Sequence, residues 1–158
     1  MASWLVLGGA IALCVAVVAQ YGFHLAPCHF CILERYPYGV LIVLGGLSLL
    51  TPRGGLRWRV LVALGFCALL ATGLLGLVHT GIEEGVLQYK GGCVAQLPAD
   101  ASLEALRAAI ATSPLVSCDT PMLRVLGLSM ATWNSVWAAL VALLVAAQYR
   151  FDVARHAG

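Results

Sequence analysis

This sequence predicts an all-α membrane protein: a bundle of four transmembrane helices with two extracytoplasmic loops, the second containing short interfacial helices. Three observations carry the prediction. The chain of 158 residues is 61% hydrophobic and only 10% charged, with a mean hydropathy of +0.94, whereas a soluble domain carries about 25% charged residues. Its apolar residues gather into four runs, at about 2–20, 34–50, 60–79 and 130–149. Its basic residues cluster in the connection between the second and third runs and after the fourth. The net charge of +2 is too small to argue for a nucleic-acid partner. No internal repeat, low-complexity tract or flexible linker divides the chain, so residues 1–158 read as one integral membrane domain.

The first run, Ala2 to Gln20, covers about 28 Å at 1.5 Å per residue, near the thickness of the bilayer core. Val17-Val18-Ala19 is like a signal-peptide cleavage site, but a basic leading region is missing and the apolar stretch is long for a signal. A retained helix is therefore expected. Cys14, mid-run and without a polar neighbour, reads as packing or lipid-facing. The second run reaches spanning length only if its helix starts near Leu33, which puts Glu34 and Arg35 at the interface. Pro37 suits that position, because the first helical turn tolerates a missing N–H. A tight turn with Arg53, Arg57 and Arg59 follows, and then the third run, which holds Cys67 as a core residue and ends at His79.

The longest segment outside the membrane is 80–129, with Cys93, Cys118 and loop signals at Gly91-Gly92 and Pro98. Within it Asp100 can cap a short helix whose Leu103, Leu106 and Ile110 share one face, with Glu104 and Arg107 on the polar side. Leu123 to Leu128 reads as interfacial. Trp133, Trp137 and Tyr149 stand near the ends of the fourth run, as interface anchors do. Asn134 is an amide within that run, expected to bond a neighbouring helix rather than a ligand.

Orientation follows from the basic residues. Arg53, Arg57, Arg59, Arg150 and Arg155 lie in the short turn and the tail, while Arg35, Lys90, Arg107 and Arg124 are spread over the opposite side. The positive-inside rule then places both termini in the cytoplasm. Cys28, Cys31, Cys93 and Cys118 fall on the other side, where disulfides persist.

The chemistry concentrates in Pro27-Cys28-His29-Phe30-Cys31-Ile32-Leu33-Glu34-Arg35. A disulfide across two intervening residues constrains little chain, about 2 kcal/mol in the loop-entropy model, so it is a poor staple and a good redox switch. In a helix starting here, Cys31 would lie in the first turn, where the macrodipole favours a thiolate, and Arg35 would follow on the same face. A thiolate beside a permanent cation at a membrane boundary suits electron transfer to a lipid-soluble acceptor. The alternatives are a structural disulfide or half of a metal site built from His24, Cys28, His29 and Cys31. Cys28 and His29 would point to different sides of a helix, and no second short-spaced pair completes a zinc ribbon, so no metal is expected. Cys93 and Cys118 enclose a longer loop, for which the same model gives about 3.5 kcal/mol. That pair is either a staple or, beside the short-spaced pair, half of a thiol–disulfide relay.

Four spans, Cys28-His29-Phe30-Cys31-Ile32-Leu33-Glu34-Arg35 after the first, His79-Thr80-Gly81-Ile82-Glu83 after the third, and Cys118-Asp119-Thr120-Pro121 with Gly127-Leu128-Ser129-Met130-Ala131-Thr132-Trp133-Asn134 before and into the fourth resemble the DsbB family of bacterial inner-membrane thiol oxidases. Met122-Leu123 departs from the tryptophan that many relatives carry after the proline. The resemblance implies a quinone-linked enzyme using ubiquinone or menaquinone. It implies that Cys28–Cys31 faces the quinone, with Cys31 nearest the ring and Arg35 its cationic partner. It also implies that Cys93–Cys118 meets a soluble periplasmic thioredoxin-like oxidase of the DsbA type, Cys93 forming the mixed disulfide. His79, closing the third run on the same side, is a candidate for the quinone site; His24 and His156 read as surface residues. An enzyme like vitamin K epoxide reductase would carry its Cys-x-x-Cys late in the chain, and a non-enzymatic membrane module would carry structural disulfides or a metal.

Overall fold

A computed structural model describes residues 1–89, 102–104 and 118–157, the last five by their backbone alone. Four helices are long and apolar enough to cross a membrane. The first, α1, is Ala2–Val17 and continues into a π-helical turn, Val18–Gly22. A short helix α2, His29–Leu33, leads through Glu34 into α3, Arg35–Leu50. Helix α4 is Leu56–Glu83 and α5 is Met130–Ala157. At 28 residues, α4 is about 42 Å long, so it overreaches the hydrocarbon core by a turn or two.

The helices run alternately up and down, with tight seams between α1 and α3, α3 and α4, and α4 and α5; α1 and α5 close the ring more loosely. Small residues make the seams tight. A Cβ on Gly76 would stand 2.5 Å from Ser135 Oγ and 3.0 Å from the Ala131 carbonyl, and one on Gly45 would meet Val6 at 2.8 Å. Only glycine lets the backbones approach so closely, the usual device where lipid supplies no hydrophobic drive between helices. Leu5, Leu41, Leu69 and Val141 fill the interior. The outward faces are apolar too, with Leu7, Val43, Leu74 and Leu143 each more than half exposed. A water-soluble molecule would not present such surface; a lipid-embedded one must.

Polar bonds tie the bundle where it is buried. Tyr38 donates its hydroxyl to Asn134 Oδ1 at 2.7 Å, Asn134 Nδ2 donates to the Thr72 carbonyl at 3.2 Å, and Thr72 Oγ1 donates to the Glu34 carbonyl at 3.1 Å. Asn134 thus joins α3, α4 and α5, the interhelical role expected of it. Trp137, expected as an interface anchor, instead donates to the Gly8 carbonyl of α1 at 3.0 Å.

Several local features depart from the sequence reading. Glu83 and not His79 ends α4, and Gly85, at φ +71°, closes it by donating to the Ile82 carbonyl. Cys67, read as core, is exposed on the outer face, as Cys14 is. Leu123 to Leu128 contains a β-hairpin: β1, Arg124–Val125, pairs antiparallel with β2, Leu128–Ser129. Its two-residue turn places Leu126 at φ +54° and Gly127 at φ +82°, the type I′ pattern that matches strand twist. Ser129 then caps α5, its Oγ accepting from the Thr132 amide at 3.2 Å. Leu103 and Glu104 are helical; the rest of the helix expected after Asp100 lies outside the described residues.

Candidate functional site

Cys28 is the N-cap of α2: its extended backbone stops the helix, and its Sγ accepts from the Cys31 amide at 3.3 Å. That puts Cys31 in the first helical turn, as the spacing predicted. The two free thiols sit with Sγ 2.9 Å from Sγ. Cys28 is buried and Cys31 only partly so. The hydrogen bond from Cys28 to Cys31, reinforced by burial, pushes the Cys28 thiol far above its usual range. The proton of the pair therefore belongs to Cys28.

Helix α4 brings His79 against this pair. Its Nε2 lies 3.4 Å from Cys28 Sγ and its Nδ1 2.9 Å from Glu34 Oε1. The imidazole is buried and stacks on Phe30, ring centroids 5.4 Å apart. Glu34 was expected at the interface; it turns inward and is 8% exposed. The partner that draws it in is 45 residues away in sequence, so no local pattern reveals it. Glu83, one helical turn beyond His79, sets Oε1 3.8 Å from Nε2, and its Oε2 is buried with no partner among the described residues. Glu34 and Glu83 are the site residues the sequence reading missed. A charged group at the end of an apolar run, four residues from a candidate histidine, was the available signal for Glu83.

Arg35 starts α3 and donates from its Nη1 to Gln20 Oε1 of the π turn at 2.5 Å. Its Nε is buried and has no partner among the described residues. Arg35, Cys31, His79, Tyr38 and Asn134 all line one cavity of about 590 Å³, walled chiefly by apolar side chains of α1, α5 and the hairpin. The volume suits a small organic ligand. Residues of α1 such as Ile11 and Val15, themselves about half exposed on the helix surface, form part of its wall.

The fourth sequence candidate, Cys118, is 3% exposed and packs in one buried cluster with Cys28, Phe30 and Ile82. The structure thus gathers Cys28, Cys31, Arg35, His79 and Cys118 at one end of the bundle. Cys93 lies outside the described residues. Met1, whose ammonium donates to Gln148 of α5, and the turn at 51–55 occupy the opposite end.

A helical membrane bundle with a vicinal dithiol, a cation and an apolar cavity at one end defines a membrane thiol–disulfide redox protein. The sequence profile of the family described as Disulfide bond formation protein DsbB matches residues 1–148, and the chain belongs to that family. It is 30% identical over 142 residues to Disulfide bond formation protein B of Pasteurella multocida (strain Pm70), covering 89% of this chain and 79% of the relative. It is also 29% identical over 126 residues to the uncharacterized protein RP370 of Rickettsia prowazekii (strain Madrid E), covering 78% of this chain and 72% of the relative. No solved structure matches. Membership implies a disulfide-forming oxidoreductase in a multi-pass membrane setting.

Proposed function

We propose that the protein is a quinone-linked thiol oxidase that reoxidises a soluble, periplasmic, thioredoxin-like oxidase of the DsbA type. The observation that carries the reading is the Cys28–Cys31 pair in the wall of an apolar cavity that Arg35 also lines, with Cys118 in the same buried cluster as Cys28. Cys93 attacks no one in its disulfide with Cys118: a partner thiolate attacks Cys93, forms a mixed disulfide and leaves Cys118 as the thiolate. The partner's second thiol resolves the mixed disulfide and departs oxidised. The Cys93–Cys118 dithiol then passes two electrons to the Cys28–Cys31 disulfide by exchange. Ubiquinone or menaquinone, when bound, supplies the acceptor for those two electrons and two protons.

The chain's residues fit such a head group. The Nε of Arg35, without a partner among the described residues, offers a hydrogen-bond donor and a fixed charge where negative charge would develop. Cys31, the more accessible thiol, is the donor of the electron pair, while Cys28 keeps the proton. His79, held by Glu34, is placed to accept that proton from Cys28 Sγ. The site lies at the end opposite the Arg53–Arg59 turn and the termini. With that turn cytoplasmic by the positive-inside rule, the cysteines face the periplasm and the bilayer is the bacterial inner membrane.

Purified protein mixed with a reduced thioredoxin-like substrate should oxidise its thiols over many turnovers only when a soluble quinone is added, with one quinone consumed per disulfide made. Thiol oxidation that proceeds at the same rate without quinone would sink the proposal. Mass spectrometry of the co-purifying lipid should identify the quinone.

A further inference from the structure

The dithiol state assembles more than a redox pair. Cys28 Sγ, Cys31 Sγ and a ring nitrogen of His79 lie within 4.8 Å of one another. Because a carboxylate only accepts, the Nδ1–H of His79 donates to Glu34, and the Nε2 lone pair is left facing Cys28 Sγ at 3.4 Å. This is the arrangement in which a carboxylate orients a metal-binding histidine through its far nitrogen. Glu83 stands next to this group, its Oε1 3.8 Å from Nε2, its side chain 5% exposed and its Oε2 buried with no partner among the described residues. A buried carboxylate oxygen left unmade is costly, and a cation beside it removes the cost.

We infer that the reduced protein binds one borderline-soft divalent cation of the zinc type through Cys28, Cys31 and His79, with Glu83 closing the coordination and Glu34 orienting His79. Two sulfurs, one nitrogen and one oxygen suit tetrahedral Zn²⁺. A tetrahedral site with Zn–S near 2.3 Å sets its sulfurs roughly 3.8 Å apart, so the pair at 2.9 Å widens on binding. Binding exchanges two thiol protons for the cation, and no electron moves. The disulfide state has no thiolates to offer, so the site exists in one redox state only. Metal capture therefore withdraws the dithiol from electron transfer, and it does so whatever the acceptor is.

Cobalt is the probe. The full-length protein in detergent, reduced and kept anaerobic, is titrated with Co²⁺. One equivalent should bind per chain, with a thiolate-to-cobalt charge-transfer band in the near ultraviolet and visible bands of tetrahedral intensity. Zn²⁺ should bleach both and protect Cys31 from alkylation. The same protein with Cys28–Cys31 oxidised should show neither band, a comparison that needs no variant to fold. Replacing Cys93 and Cys118 together by serine should leave the bands in place. Glu34→Gln should weaken binding about 10–100-fold, the usual loss on removing a residue that orients a ligand, and His79→Ala should weaken it further. Absence of the charge-transfer band from reduced wild type, or its persistence after Cys28→Ser with Cys31→Ser, would overturn the site. Quinone-dependent thiol oxidation measured in the presence of a chelator is untouched by either result, so the two proposals fail separately.

Discussion

The two thiols of the Cys28–Cys31 pair are not equivalent, and alkylation should separate them. Cys28 is 4% exposed, caps a helix and keeps the shared proton; Cys31 opens onto the cavity. Iodoacetamide added to the reduced protein near neutral pH should therefore modify Cys31 first, as peptide mapping at partial labelling will reveal. Equal labelling would contradict the asymmetry. Arg35 gives the second residue-scale test. Arg35→Lys retains charge but loses the planar fork that serves both Gln20 and the cavity, and Arg35→Met loses both. Quinone KM should rise and turnover fall in the order wild type, lysine, methionine, while thiol exchange with the soluble partner changes much less. Equal KM values across the three proteins would reduce Arg35 to a membrane anchor. His79→Asn should slow quinone-linked turnover by about 10²-fold, within the usual range for a proton-transferring side chain, in single-turnover kinetics.

At the scale of elements, the seams of the bundle rest on missing side chains. Gly76→Val would drive a branched side chain into Ser135, Asn134 and the Ala131 carbonyl, displacing the Asn134 bridge between α3, α4 and α5. Overpacking of this kind costs about 1–3 kcal/mol, so Tm in detergent should drop clearly. Gly46→Ala, where a Cβ meets nothing within 4 Å, should leave Tm unchanged or slightly raised. The helices themselves were legible because an apolar run in a charge-poor chain has only one way to satisfy its backbone in lipid. The π turn after Val17, the break at Glu34 and the hairpin at 124–129 were not. The first two turn on partners farther along the chain, Arg35 for Gln20 and His79 for Glu34, while the hairpin is held by its own neighbour Trp133, whose Nε1 donates to the Val125 carbonyl at 3.0 Å. Cys28, Cys31 and Arg35 were legible from spacing. The joining of Cys28 to Glu34 through His79 required the packing of α4 on α2 and α3.

For the whole molecule, the ends of the bundle differ in content, and this makes topology testable. Leu126 at the hairpin tip is 88% exposed and shares its end with the cysteines, whereas Arg53 lies in the turn at the other end. In a background lacking the accessible native thiols, a membrane-impermeant maleimide should label Leu126→Cys in intact spheroplasts, and Arg53→Cys only after lysis. The reverse pattern would invert the orientation and place the redox cysteines in the reducing compartment.

The cap that Cys28 provides to α2 has a use of its own. The Cys31 amide proton rests on a sulfur whose oxidation state changes, with an Sγ–N separation of 3.3 Å in the dithiol. A disulfide sulfur is a poorer acceptor than a thiol sulfur that shares charge with its neighbour, so the same amide senses each electron pair as it arrives. Its nitrogen–proton resonance in a selectively labelled sample becomes an observer of the pair, readable without a dye, a substrate or a coupled assay. Turnover could then be followed at the atom that starts the helix.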